Sequence, residues 1–410
     1  MSRRVRTGAL TWGGALLLAV APLTGCTTDG APRETGPTTA TADPHAVEPP
    51  RIPSAQGLPG EVQRLLLADE RHGFAQLLAC SEAPEEGCRS HLLALEDGAD
   101  WELRDLPPEL AGEDTGVTRL LVAGPGRARL ETDAGYLGAH EGEEELTAWK
   151  TFDGARSWEP AGTGTPGTLE EIPAAAPLHT LSVPGTTAPG GGDGTGEAEE
   201  PERLAALDPE TGEFGVLAEQ PPLRNMTPVA GTLPDGSHAV SGLDPETAQP
   251  AVAVSADRGR NWRTSRLPGP QPGDPEYAPV FHALTVGPDV LYATVTGGPD
   301  AHGTVLGIHR STDLGDTWER TWDPSSGPGP ATVLGQPVAA GDGSLTVHAQ
   351  DGIHRSEDGG RTFTEVREGP PPEFVVRTPA GHLAQSLEHQ GHYRISADGY
   401  TWHTIILTGE

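Results

Sequence analysis

The sequence predicts an all-β domain assembled from repeated four-stranded units, and three observations predict it. A short turn pattern built on Asp, Gly and an aromatic residue recurs at intervals of 40 to 56 residues. Ahead of each copy stands a pair of apolar or alternating runs, split by a Gly, Pro or Asp turn. Gly and Pro are abundant, at 55 and 41 of 410 residues, which suits many short strands joined by turns. Repeats of this length with four strands each are blades. The expected fold is therefore a single β-propeller of seven four-stranded blades, with six as the alternative because the third repeat is weak.

Residues 1–25 precede that fold. Arg3, Arg4 and Arg6 lead into an apolar run from Ala9 to Leu23, the layout of a secretory signal. The run is too short for a membrane span, which needs about 20 apolar residues. It ends Leu23-Thr24-Gly25-Cys26, which resembles the lipobox of bacterial lipoproteins. That resemblance implies Cys26 as the lipidated first residue of the mature chain and the outer face of the cytoplasmic membrane as its location. Residues 26–59 carry Thr, Pro and Ala with few large apolar groups, and are expected to be a disordered tether. The propeller is assigned to 60–410.

Within 60–410 each repeat begins with a hairpin signal. These are RLLLADERHGFAQLLA at 64–79, RLLVAGPGRARL at 119–130, HTLSVPGTTA at 179–188 and TPVAGTLPDGSHAVSG at 227–242. HALTVGPDVLYATV at 282–295, PVAAGDGSLTVHA at 337–349 and FVVRTPAGHLAQSL at 374–387 complete the set. The turn pattern follows each hairpin. Its clearest copies are SADRGRNW with Asp257, Gly259 and Trp262, STDLGDTW with Asp313, Gly315 and Trp318, and SEDGGRTF with Asp358, Gly360 and Phe363. SADGYTW, with Asp398, Gly399 and Trp402, is one residue shorter. Weaker copies are LEDGADW with Asp97, TFDGARSW with Asp153 and Ala155 where Gly is expected, and LDPETGEF with Asp208. Trp402 to Leu407 is expected to be the outermost strand of the last blade.

Turn chemistry explains the residue choice. The Asp carboxylate accepts from backbone N–H groups ahead of it, and the Ser hydroxyl bonds into the same loop. Gly supplies positive φ. The aromatic residue opens the next strand and covers apolar surface. The pattern resembles the Asp-box, or BNR, repeat of sialidases, sortilin-type receptors and photosystem-assembly-factor-like propellers. That resemblance implies a propeller with its boxes at the blade periphery, so that these Asp residues are structural.

Cys80 and Cys88 flank SEAPEEG, the loop between the second and third strands of the first blade. Paired strands put them within bridging reach, and an exported chain permits oxidation. Their loop of nine residues gives about 2.6 kcal/mol on the chain-entropy model. The spacing is not that of a CxxC redox pair, and zinc needs more ligands.

Few residues suggest chemistry. Arg51-Ile52-Pro53 resembles the Arg-Ile-Pro of sialidases, whose Arg grips the substrate carboxylate. Only Arg51 carries over; the other arginines, the Tyr–Glu pair and the acid/base Asp have no matching motif. His382, His389 and His392 lie close together, but in different elements and without metal-ligand spacing. His309 and His354 share one place in two GIHRS copies. The Gly-rich run 190–196 lacks the Lys of a phosphate loop. No cofactor and no metal are expected.

Charge is the remaining signal. The formal charge is −32, and removal of the signal makes it −35, which argues against nucleic acid as a partner. The acids concentrate in second-to-third-strand loops of blades one to three: Glu82, Glu85 and Glu86; Glu141, Glu143, Glu144 and Glu145; Asp193, Glu197, Glu199, Glu200 and Glu202. An acidic rim on one face would keep the chain soluble or bind a cationic partner. The sequence is thus read as a monomeric, lipid-anchored binding or scaffold module for a protein or carbohydrate. The alternative is a sialidase-like exo-glycoside hydrolase.

Overall fold

A computed structural model describes residues 47–80, 87–110, 118–132, 146–182, 202–269, 279–297, 303–366 and 371–409. They form seven antiparallel-rich sheets arranged as the blades of one β-propeller. Blade one holds β2 (Glu61–Leu67), β3 (Gly73–Cys80), β4 (Cys88–Leu95) and β5 (Trp101–Arg104). Blade two holds β6 (Thr118–Gly124), β7 (Arg127–Thr132), β8 (Ala148–Thr151) and β9 (Glu159–Pro160). Blade four holds β14 (Arg224–Pro228), β15 (His238–Leu243), β16 (Pro250–Ser255) and β17 (Arg263–Arg266). Blade five holds β18 (Pro279–Val286), β19 (Leu291–Gly297), β20 (Thr304–Ser311) and β21 (Glu319–Trp322). Blade six holds β22 (Val338–Ala339), β23 (Leu345–Ala349), β24 (Gly352–Ser356) and β25 (Thr364–Val366).

Two blades depart from the plan. Blade three contains β11 (Leu178–Ser182), β12 (Glu202–Leu207) and β13 (Phe214–Leu217), but its outer strand is β10 (Gly167–Leu169), which precedes them in sequence and runs parallel to β13. The hairpin expected at 179–188 is replaced by pairing of β11 with β12; residues 183–188 lie outside the described residues. Blade seven has β26 (Glu373–Thr378), β27 (Gly381–Ser386), β28 (His392–Ser396) and β29 (His403–Gly409), and then a fifth strand. This is β1 (Ala55–Leu58), parallel to β29. The last strand is therefore not outermost. The expected boundary at 60 is also too late: residues from Val47 onward are part of the fold, and Ile52 is fully buried. One apolar side chain in a Pro-rich stretch does not alter its composition, so composition misplaces it.

The core is not a single centre. It is seven clusters, one in each seam between neighbouring blades. Phe74, Leu92 and Ala94 of blade one meet Leu120, Leu130 and Trp149 of blade two. Leu121 and Ala123 meet Leu207 and Phe214, and Leu204 and Leu217 meet Met226 and Val240. Val252 and Val254 meet Leu284 and Leu291; Tyr292 and Ile308 meet Leu345 and Phe363; Val338 meets Val375 and Trp402. The ring closes where Leu65, Leu93 and Leu95 of blade one meet Ile395, Ile405 and Leu407 of blade seven, with Ile52 among them. Each blade is thus buried on both faces. That is why β4, HLLAL at its end, reads as a continuous apolar run rather than an alternation.

Cys80 and Cys88 are cross-strand partners in β3 and β4, and their sulfurs are bonded. At the inner end of blade six, Leu334 to Gln336 pair with β26 of blade seven; the Gln336 N–H donates to the Val375 carbonyl at 2.7 Å. Gly335 makes that approach possible. Its φ is 74°, and a Cβ there would stand 2.0 Å from the Val375 oxygen. Gly343 has φ 84° with nothing within 4 Å of such a Cβ. Gly343→Ala should therefore cost only the left-handed backbone penalty, about 1–2 kcal/mol. Gly335→Ala should cost about 1–3 kcal/mol more, from steric overlap. Equal losses in chemical denaturation would contradict the close approach. Thiol labelling without reductant should leave Cys80 and Cys88 unmodified.

Candidate functional site

The Asp turns are closed by their own hydrogen bonds. The hydroxyl of Ser255, Ser311, Ser356 or Ser396 donates to Oδ1 of Asp257, Asp313, Asp358 or Asp398 at 2.8–3.0 Å, and Thr151 does so to Asp153 at 2.9 Å. The N–H of Gly259, Gly315, Gly360 or Gly399 returns to the Ser oxygen at 2.7–2.8 Å. Backbone N–H groups three or four residues on, at Ser157, Asn261, Thr317, Thr362 and Thr401, also reach Oδ1. In four of these turns the side chain of Ser157, Asn261, Thr317 or Thr362 takes Oδ2. Bonds from the Thr317 hydroxyl and N–H hold the Asp313 carboxyl down to about 2. These carboxylates are bonded within their own turns.

The shortened last turn lacks a fourth-residue side chain for Oδ2. There the Val47 N–H donates to Asp398 Oδ2 at 2.8 Å, so the turn docks the N-terminal segment. Asp97, without a Ser, keeps only the backbone of the pattern. It has φ 55°, is followed by Gly98 at 68°, and its exposed carboxylate meets Arg71 at 3.5 Å. In the third repeat Asp208 caps its own turn by accepting from the Glu210 N–H.

The aromatic and the residue after Gly both reach back to the preceding blade. Trp101, Trp158 and Trp262 donate Nε1–H to the carbonyls of Pro53, Asp105 and Glu219, and Trp318 donates to Ser265 Oγ. These Trp rings are half-buried; Phe363, with no N–H, is buried and packs edge-on against Trp322. Arg156, Arg260 and Arg361 pair with Glu96, Glu171 and Glu319. In the fifth repeat the signs exchange, and Asp316 pairs with Arg263. In the seventh, Tyr400 takes the position and Arg355 lies over its ring. No periodicity argument finds these contacts, because the partners come from different repeats.

The two faces of the ring consequently differ. Antiparallel order puts first-to-second-strand turns and Asp turns at one end of the blades. The 208–213 turn belongs there too, since Arg127 and Lys150 of blade two donate to its Pro209 and Thr211 carbonyls. The strand ends that lead into 81–86, 133–145 and 183–201 all lie at the opposite end. The acids Glu82, Glu85, Glu86, Glu141, Glu143, Glu144, Glu145, Asp193, Glu197, Glu199 and Glu200 lie outside the described residues; Glu202 is exposed at the start of β12. Cys26 is also outside them.

Arg51 sits just before the outermost strand of blade seven, exposed and paired with Glu48. His389 and His392 have ring centres 5.3 Å apart, while His382 is buried in β27. Among the described residues no three His, Cys, Asp or Glu side chains are grouped to hold a metal. A cavity of about 330 Å³ opens on the Asp-turn face between blades five and six, lined by Tyr292, Arg310 and Arg361.

No protein-family model matches the chain, and no curated relative matches it. Solved structures of similar backbone include a GH74 enzyme of Niastella koreensis, 13% identical with a TM-score of 0.31, covering 83% of this chain and 54% of its own. The β-propeller domain of the Trilobed protease from Pyrococcus furiosus is 8% identical with a TM-score of 0.42, covering 84% and 94%. A Hadza microbial sialidase is 14% identical with a TM-score of 0.34, covering 78% and 73%. The chain spans about half the length of that GH74 enzyme. These likenesses are too distant to argue function; the strand order itself establishes the propeller.

Four histidines set an acid limit. Burial lowers His179, His309, His348 and His382 to about 4 from an ordinary 6.5. His348 Nδ1 accepts the Glu373 N–H, which a protonated ring cannot do. Between those values the unfolded chain binds protons that the folded chain refuses. Stability should be unaffected by these groups above about pH 6.5 and fall as pH drops toward 4, by up to about 3 kcal/mol per ring. A melting temperature flat from pH 7 to pH 5 would contradict their burial as neutral rings.

Proposed function

We propose that the chain is an exported Asp-box propeller, anchored by lipid on Cys26, that binds a partner through the face opposite the Asp turns and is not a catalyst. The observation that carries this reading is the asymmetry of the faces. On one, the Asp-turn carboxylates take up turn hydrogen bonds and the charged side chains after Gly pair between blades. The other receives the strand ends that bracket the acid-rich segments of blades one to three. Crowded carboxylates raise the local concentration of cationic groups, so the partner fitted to this face presents Lys or Arg. The sialidase-like alternative rests on Arg51, and an outer-edge arginine paired with Glu48 gives it no support.

Anchoring and binding have separate tests. Cys26→Ser should release the protein from the membrane fraction; retention would refute lipid attachment. Cross-linking in intact cells should recover a specific partner whose affinity falls as the Debye length shrinks from about 10 Å at 0.1 M salt to about 3 Å at 1 M. Replacing Glu143, Glu144 and Glu145 by Gln should weaken that binding with little change in melting temperature, since exposed charges contribute little to stability. Indifference to both salt and substitution would move the binding surface elsewhere. Turnover of a fluorogenic sialoside would favour the hydrolase.

A further inference from the structure

The cavity between blades five and six stands apart from the acidic face and from the reading just given. It opens between the turns at 288–290, 340–343 and 357–359. At its base Tyr292 is 1% exposed, and burial raises its hydroxyl above the ordinary value while the neighbouring Arg310 guanidinium acts the other way. Arg310 and Arg361 converge there. A methyl group on Gly359 would stand 3.2 Å from both Arg310 Nε and Arg361 Nη1.

The two arginines differ in their partners. Arg361 is paired with Glu319 at 2.7 Å and donates to the Asp358 carbonyl at 2.9 Å. Arg310 bonds the Tyr292 hydroxyl and has no carboxylate partner among the described residues, and its Nε, like those of Arg203, Arg320 and Arg355, is buried without a hydrogen bond. The nearby Asp358 carboxylate cannot serve, because Ser356, Thr362 and the Arg361 N–H already occupy it. A buried guanidinium nitrogen without an acceptor is costly. The remaining acids of the rim, Asp289 and Glu357, are exposed. Arg156, Arg260 and Arg361 on this face are matched to acids of the preceding blade; Arg310 lies beside Arg361 in a concavity without such an acid.

We infer that this cavity is a binding site for a small ligand bearing an oxyanion, held by Arg310 with support from Arg361. The guanidinium fork matches the oxygens of a carboxylate or a tetrahedral anion, and the volume is that of a small-molecule site. Tyr292 gives the ligand an aromatic floor. Gly359 keeps the approach open, since any side chain there would fill the space in front of both guanidiniums. The exposed acids at the rim oppose entry, so their removal strengthens binding.

The test is titration of the full chain with acetate and with inorganic phosphate, each at ionic strength matched with sodium chloride, followed by calorimetry and by tyrosine fluorescence. Saturable binding of one of them is expected, and which one it is distinguishes a carboxylate from a tetrahedral ligand. Arg310→Met should weaken it by about 10- to 100-fold. Asp289→Asn and Glu357→Gln, both at exposed positions that leave the fold intact, should each tighten it. Two results would overturn the site: no saturable binding of either anion beyond the chloride control, or binding that Arg310→Met, Asp289→Asn and Glu357→Gln all leave unchanged.

Discussion

Closure of the ring is the constraint on which the other features depend. A blade buried on both faces has no solvent side, so each sheet is stable only with a neighbour on either hand. In β4, Leu93 and Leu95 point into the seam with blade seven while Leu92 and Ala94 point into the seam with blade two. An open ring would expose the whole first seam, at about 1.5–3 kcal/mol for each large apolar side chain. The N-terminal segment completes that seam. Ile52 fills it, β1 pairs with β29, His403 Nε2 bonds the Ile52 carbonyl at 2.9 Å, and Trp101 donates to Pro53. Asp398 holds the beginning of the segment through Val47. One stretch of chain therefore joins the first blade to the last.

The Asp turns act as regularly spaced stitches in the same scheme. Their internal bonds shape the loop, and the shaped loop presents a Trp N–H and a charged side chain to the preceding blade. Half-buried Trp covers the seam with its ring and satisfies its N–H across it. The charge at the residue after Gly is not fixed in sign, only in being matched: Arg with Glu in the second, fourth and sixth repeats, Asp316 with Arg263 in the fifth. Such exposed pairs contribute little each. Their role is registration of one blade against the next. The consequence for function is a division of labour. One face is committed to holding the ring together, and the segments that carry the acids join at the other.

Much of this was legible in the sequence where the physics is local. Ser-x-Asp-x-Gly specifies its own hydrogen bonds within eight residues, and paired apolar runs specify hairpins, so seven blades could be counted. The disulfide followed from its place across a hairpin. What could not be read involves distant partners. β1 and β10 are four- and three-residue edge strands, AQGL and GTL, with no pattern of their own; each is a strand because a parallel neighbour offers it hydrogen bonds. Residues 47–58 looked like tether because Pro and small residues outnumber Ile52. The groove was equally hidden, since Arg310 and Arg361 belong to different repeats and meet only when blades five and six are side by side. The acidic segments were visible from composition, but which end of the blades their flanking strands point to depends on strand direction.

Ring closure depends most directly on the N-terminal segment, and one comparison tests it. A chain beginning at Pro44 and a chain beginning at Gly60 differ by Val47, Ile52 and β1, and by no residue of blades one to six. If closure holds the ring together, the shorter chain should lose at least about 3 kcal/mol, from the buried Ile side chain and the uncovered seam. Amide exchange should then quicken first in β2 and β29, on either side of the junction. If both chains unfold at the same denaturant concentration with the same slope, the N-terminal segment is an ornament on the last blade and closure does not depend on it.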